Sequence, residues 1–120
     1  MAKIITKPIV TIIGSRDIKF INFDLYLNKN NIAQVISGGA TGIDTLAEQW
    51  AKRNRIDFVA YLPQYRIFGN KAPLIRDKEM VEASDITIAF WNGKSAGTKY
   101  TIDYSLSLGH KTIVHLIEER

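Results

Sequence analysis

A chain of 120 residues with 46% hydrophobic residues and three prolines has material for one core and too little length for two ordinary domains, so residues 1–120 read as a single domain. Cysteine is absent, which excludes disulfides, thiolate metal sites and cysteine nucleophiles and fits a reducing, cytoplasmic setting. The formal charge of +4 is scattered without a basic stripe and favours anionic ligands only weakly, and no segment approaches the roughly 20 apolar residues that span a bilayer.

The N-terminal MAKIITKPIVTII has a basic start, but its apolar run is short and interrupted by Pro8, so it reads as a strand and not as a secretory signal. The β-branched run Pro8 to Ile13 ends at Gly14, as expected of a strand buried on both faces of a parallel sheet. Ile18 to Asn28 carries Ile21 and Leu25 four residues apart and is expected to be helical. A second strand is expected at Ala33 to Ile36. The clearest amphipathic helix follows, with Ile43, Leu46, Ala47, Trp50 and Ala51 at i, i+3, i+4, i+7 and i+8.

Phe58 to Leu62 reads as the third strand. The stretch from Pro63 to Pro73 is long for a β–α connection and suggests a lid or wall of a site. Pro73, at a first-turn position, opens a helix to about Ala83. Ile86 to Phe90 is the fourth strand, a helix from near Gly97 ends at Gly109 as its C′ residue, and Thr112 to Leu116 is the fifth strand. This β-α-β-α-β-α-β-α-β order implies an α/β, Rossmann-like, doubly wound and mainly parallel five-stranded sheet flanked by helices. Ligands of such sheets bind beyond the carboxyl ends of the strands, near the switch in strand order.

Three loops at that edge carry the candidate ligand-binding residues. They are Gly14, Ser15 and Arg16 after the first strand, then Gly38, Gly39, Ala40, Thr41, Gly42 and Asp44 after the second, then Asn92, Gly93, Ser95, Gly97 and Thr98 after the fourth. Glycines there let a bulky anion approach, and the first amides of the following helices point at it. Trp91, at the mouth of the fourth strand, is a candidate to stack on a base. His110 and His115, at a helix end and in a strand, read as surface or packing residues. The loops lack the GxxxxGK[ST] pattern and GGATG lacks GxGxxG spacing, so ATP and NAD have no support; no cofactor and no metal are expected.

The GSR after the first strand, SGGATGID…LAEQWA, PLIRDKEM and IAFWNGKSAGT together resemble the SLOG superfamily, specifically its small YspA- or YpsA-related branch, over nearly the whole chain. The resemblance implies a nucleotide-like ligand, since relatives include the LOG phosphoribohydrolases, the DNA-processing protein DprA and sensors of nucleotide-derived signals. LOG enzymes use an arginine in an RxxxM context, matched here by Arg76 and Met80, and a glutamate in PGGxGTxxE. Gly97 and Thr98 match the GT of that second motif, but its glutamate position holds Thr101, and Asp103 lies about 200° around the helix from there. Arg76 and Asp44 are therefore the candidate catalytic residues, with Asp44 also able simply to stabilise the first turn of its helix.

The leading expectation is a domain that binds a nucleotide or ribose-phosphate derivative as sensor or carrier. The alternatives are a LOG-like N-glycosidase acting on the same ligand class and a DprA-like single-stranded DNA binder. Against the last, the basic residues form no stripe, and nucleic acid is not the expected partner. Dimerisation through helices flanking the sheet is left open, and no membrane partner is expected.

Overall fold

A computed structural model of the protein describes residues 7–118; the start of the N-terminal strand reading, residues 1–6, lies outside the described part. Five strands form one sheet: β1 (Ile9–Gly14), β2 (Gln34–Ser37), β3 (Asp57–Ala60), β4 (Ile86–Trp91) and β5 (Lys111–Leu116). The strand order is β3-β2-β1-β4-β5 and every pairing is parallel. The sheet is the expected Rossmann-like α/β architecture. Its order reverses between β1 and β4, where the two halves of the winding diverge and leave a crevice at the carboxyl edge.

Central β1 and β4 are buried along their middles, which is why both read as continuous apolar runs, whereas edge strands β3 and β5 stay largely open to solvent. On one face α1 (Ile43–Arg53) lays Ile43, Ala47, Trp50 and Ala51 against Val10, Ile12, Val35, Ile88 and Phe90. On the other, α3 (Ala72–Glu82) and α4 (Ala96–Ser107) bring Met80 and Ile102 onto Ile13, Ile36 and Ala89. Between β3 and α3 lie the short helix α2 (Tyr65–Phe68) and a 3-10 turn, Gly69–Lys71. Pro73 occupies the first turn of α3, and Gly109 follows α4 with φ 69°, as the sequence indicated. No helix among the described residues is long and apolar enough to cross a membrane.

The helix expected over Ile18 to Asn28 is replaced by two 3-10 turns, Phe23–Leu25 and Lys29–Asn31. Asparagine is the physical reason. Asn22 Oδ1 accepts from the Asp24 amide at 3.1 Å and Asn28 Oδ1 from the Asn30 amide at 3.0 Å, so each side chain takes an amide that a helix would use. The i, i+4 pair is also not the buried one: Leu25 is 76% exposed, while Ile18 and Phe23 enter the core. Phe23 meets Phe90 edge-on at 5.1 Å and Trp50 at 5.8 Å, and Trp50 Nε1 donates to Asp24 Oδ1 at 3.0 Å. His115 stacks on Phe90, a packing role.

These contacts separate the two readings of the segment. Phe23→Ala should lower the unfolding free energy by about 3–5 kcal/mol, and Leu25→Ala by under about 0.5 kcal/mol, in urea titrations followed by far-ultraviolet circular dichroism. Comparable losses at both positions would restore the amphipathic helix.

Candidate functional site

A cleft of about 460 Å³ opens at the crevice between β1 and β4. Its walls come from the loops after β1 (Gly14, Arg16, Asp17), β2 (Ala40, Asp44) and β4 (Asn92, Lys94, Ser95, Gly97, Thr98), with α3 contributing Pro73, Leu74, Arg76 and Asp77. A second hollow of about 290 Å³ adjoins it, lined by Gly38, Gly39, Thr41, Pro63 and Tyr65 and sharing Arg16, Ala40 and Arg76 with the first. Thus Gly97 and Thr98 face the larger space, Gly39 and Thr41 the smaller, and the two arginines stand at their junction. The Pro63 to Pro73 stretch supplies a wall to both.

Arg76 is the centre of this arrangement. It is 6% exposed; its Nη1 donates to the carbonyl oxygens of Gly38 and, at 3.1 Å, Tyr61, and its Nε donates to Asp77 Oδ1 at 2.6 Å. One side chain on α3 therefore ties down the loops that follow β2 and β3. Gly38 is required for this, because a Cβ there would lie 2.5 Å from Arg76 Nη1. Gly42, at φ 77°, brings its backbone against Arg16 O, which a Cβ would meet at 2.4 Å. Both glycines serve contact of protein with protein, where their place in the sequence suggests close approach of an anion.

Asp44 lies in the first turn of α1 yet braces the preceding loop: Oδ1 is hydrogen-bonded to Ser37 Oγ at 3.0 Å and Oδ2 accepts from the Ala40 amide at 3.2 Å. Thr45 Oγ1 donates to Ala40 O from the other side. The loop after β4 is braced by Asn92, whose Oδ1 accepts from the amides of Lys94 and Ser95 at 2.8 and 2.9 Å and whose Nδ2 donates to Asp17 at 2.9 Å. Ser15 is fully buried and its Oγ accepts from the Asn92 amide at 3.1 Å, joining the first and third loops. Ser95 caps α4 by accepting from the Thr98 amide. Gly14 lines the cleft beside these groups, and Gly93 turns the third loop at φ 81° without lining either hollow. Trp91 turns its ring to Met80's side of the core and donates from Nε1 to Ser95 O at 3.0 Å, so it supports the loop and lines neither hollow.

Asp77 is the residue that sequence reasoning underrated. Its Oδ2 is hydrogen-bonded at 2.8 Å to Thr101 Oγ1, the hydroxyl at the position where LOG enzymes carry glutamate. A carboxylate thus reaches that end of the cleft from α3, while Asp103 points away and pairs with Lys99 on the surface of α4. The adjacency of Asp77 to Arg76 was the available sequence signal, but its partner lies 24 residues away.

Burial drives the carboxyl of Asp44 up to about 6 from an ordinary 3.8, outweighing the Ala40 amide and Ser37 hydroxyl that pull it down. Burial likewise raises Asp77, against the opposing charge of Arg76. A folded-state value above the unfolded one means that Asp44's contribution to stability is fully present below pH 3.8 and is lost as pH rises through about 6. Asp44→Asn should therefore gain stability relative to wild type by roughly 2–3 kcal/mol between pH 4 and pH 7.5, measured by urea unfolding at each pH. A constant difference across that range would show that Asp44 keeps its ordinary acidity.

A family model described as the YspA, cpYpsA-related SLOG family matches residues 8–68, from the start of the sheet through α2. The chain is 36% identical over 72 residues to the Gene 61 protein of Mycobacterium phage D29, an alignment that takes in 55% of this chain and 58% of that protein. The chain thus spans less than two thirds of that relative's length. No solved structure matches it. The matched half contains β1, the GGATG loop, α1 and the Gly38 and Asp44 environment that anchors Arg76, and on that match the chain belongs to the YspA, cpYpsA-related SLOG family.

Proposed function

We propose that this domain binds a nucleotide or ribose-phosphate derivative in the cleft between β1 and β4, as a sensor or carrier. The observation that carries this reading is the meeting of the loops after β1, β2 and β4 and the first turn of α4 around one 460 Å³ space that holds Arg16 and Lys94. The amides of Ala96 and Gly97, which the Ser95 cap leaves free, and the two cations suit a phosphate group, and the polar side chains beyond suit a sugar. Arg16 is exposed and makes no side-chain hydrogen bond among the described residues, so its guanidinium is available to an anion. Arg76 has Nε and Nη1 engaged with the protein, which leaves Nη2 for a ligand and makes the residue mainly a support of the site.

One observation favours a second reading, hydrolysis of the same ligand class: Asp44 and Asp77 both line the cleft and both are pushed toward neutrality. The glutamate position nevertheless holds Thr101, and binding without turnover is the expected behaviour. Incubated AMP should be recovered intact by chromatography. Release of adenine at an enzymatic rate, abolished by Asp77→Asn, would move the assignment to an enzyme.

Calorimetric titration with AMP and ribose 5-phosphate tests the binding reading directly. Arg16→Ala should weaken affinity by about 1.5–3 kcal/mol, as for a lost charge-assisted hydrogen bond. Gly97→Ala should weaken it further without loss of stability, because a Cβ at this exposed position meets no side chain or other element within 4 Å and instead covers the first turn of α4. Unchanged affinity in both variants would remove the cleft as the site.

A further inference from the structure

The two hollows at the carboxyl edge differ in chemistry. Of the charged side chains there, Asp17, Asp44, Asp77 and Lys94 border only the larger hollow, and Arg16 and Arg76 border both. The smaller hollow, of about 290 Å³, has no charge of its own: beyond the shared Arg16, Ala40 and Arg76, its walls are Gly38, Gly39, Thr41, Pro63 and Tyr65. Arg76 offers it little, because Nη1 donates to the carbonyls of Gly38 and Tyr61 and Nε to Asp77. A second phosphate would find few partners in this space.

Its surfaces are flat instead. Gly38 and Gly39 present bare backbone, and neither position has room for a side chain: a Cβ would lie 2.5 Å from Arg76 Nη1 at the first and 2.8 Å from Leu62 Cδ2 at the second. Pro63 and Tyr65 add two rings from the long β3–α3 connection. Tyr65, the first residue of α2, is 57% exposed, and its ring pairs with no other ring among the described residues. An aromatic face left in water at the wall of a hollow is apolar area that a planar ligand can cover.

Arg16, Ala40 and Arg76 bound both spaces, so a ligand held by its phosphate in the larger one passes Ala40 to enter the smaller. Resting on the anion-binding reading above, we infer that the ligand is a whole nucleoside monophosphate and not a ribose phosphate, with its base in the second hollow, stacked on Tyr65 beside the bare backbone of Gly38 and Gly39. The phosphate then lies with Arg16, Lys94 and the first turn of α4, and the sugar at the junction. A ribose phosphate fills the charged half alone and leaves the Tyr65 ring in water. Tyr65 is in this arrangement the residue that makes the site prefer a nucleotide.

The test compares AMP with ribose 5-phosphate by calorimetric titration of the wild-type chain and three variants. AMP should bind about tenfold or more tightly than ribose 5-phosphate, the gain expected from one base stacked on one aromatic ring. Tyr65→Ala should remove that gain and leave ribose 5-phosphate affinity unchanged. Tyr65→Phe should keep it, because the ring face and not the hydroxyl makes the stack. Arg16→Ala should weaken both ligands by the same factor, since both carry the phosphate. The Tyr65 ring is mostly in solvent, so the urea midpoint of Tyr65→Ala should match the wild type and exclude unfolding as the cause.

A direct reading comes from nuclear magnetic resonance: the ring protons of Tyr65 should move upfield on adding AMP and stay in place on adding ribose 5-phosphate. Equal affinity for the two ligands, AMP affinity untouched by Tyr65→Ala, or an equal loss for both ligands in that variant overturns the inference and leaves the binding reading standing. Absence of binding to either ligand removes both.

Discussion

The site depends on one side chain laid across the carboxyl edge of the sheet. Arg76 reaches from α3 to the carbonyls of Gly38 and Tyr61, the first residues beyond β2 and β3, and turns its Nε to Asp77. Buried carbonyls at strand ends need donors, and a guanidinium offers five in a fixed plane. This contact fixes how far α3 stands from the GGATG loop, and that spacing sets the width of the cleft. Everything nearby is subordinate to it: Gly38 has no side chain so that the guanidinium fits, and Asp44 holds the loop in the conformation that presents Gly38 O.

A buried arginine of this kind carries an electrostatic consequence. Its charge pairs directly with Asp77 at 2.6 Å and lies near Asp44, yet burial still dominates and raises both carboxyls. Strain of this sort costs stability and is found where a ligand must be met by poised groups.

The sheet and its flanking helices were legible in the sequence because their determinants are local. β1 and β4 are apolar runs buried on both faces, α1 has a clean helical stripe, and Pro73 and Gly109 mark helix boundaries through their own backbone chemistry. The segment after β1 misled for an equally local reason: Ile21 and Leu25 have helical spacing, but Asn22 and Asn28 take backbone amides, and Phe23 finds its place only against Trp50 and Phe90 far along the chain. Trp91 was judged from its position at a strand end, which cannot say on which side its ring packs.

What the sequence by itself determined is the order of the five strands and of the main helices after β2, β3 and β4, and with it the parallel sheet, the edge at which the loops gather and the family to which the chain belongs. Periodicity, turn residues and motif spacing are properties of neighbours in the chain, and these features need no more. The tertiary structure decided what each loop residue does. It turned Gly38 and Gly42 from anion cradles into seats for Arg76 and for the backbone of Arg16, spent Ser15 and Asn92 on joining loops, and brought a carboxyl from α3 to Thr101 on α4. Those roles depend on contacts between residues 24 to 77 positions apart, whose distances are set only when both faces of the sheet are packed.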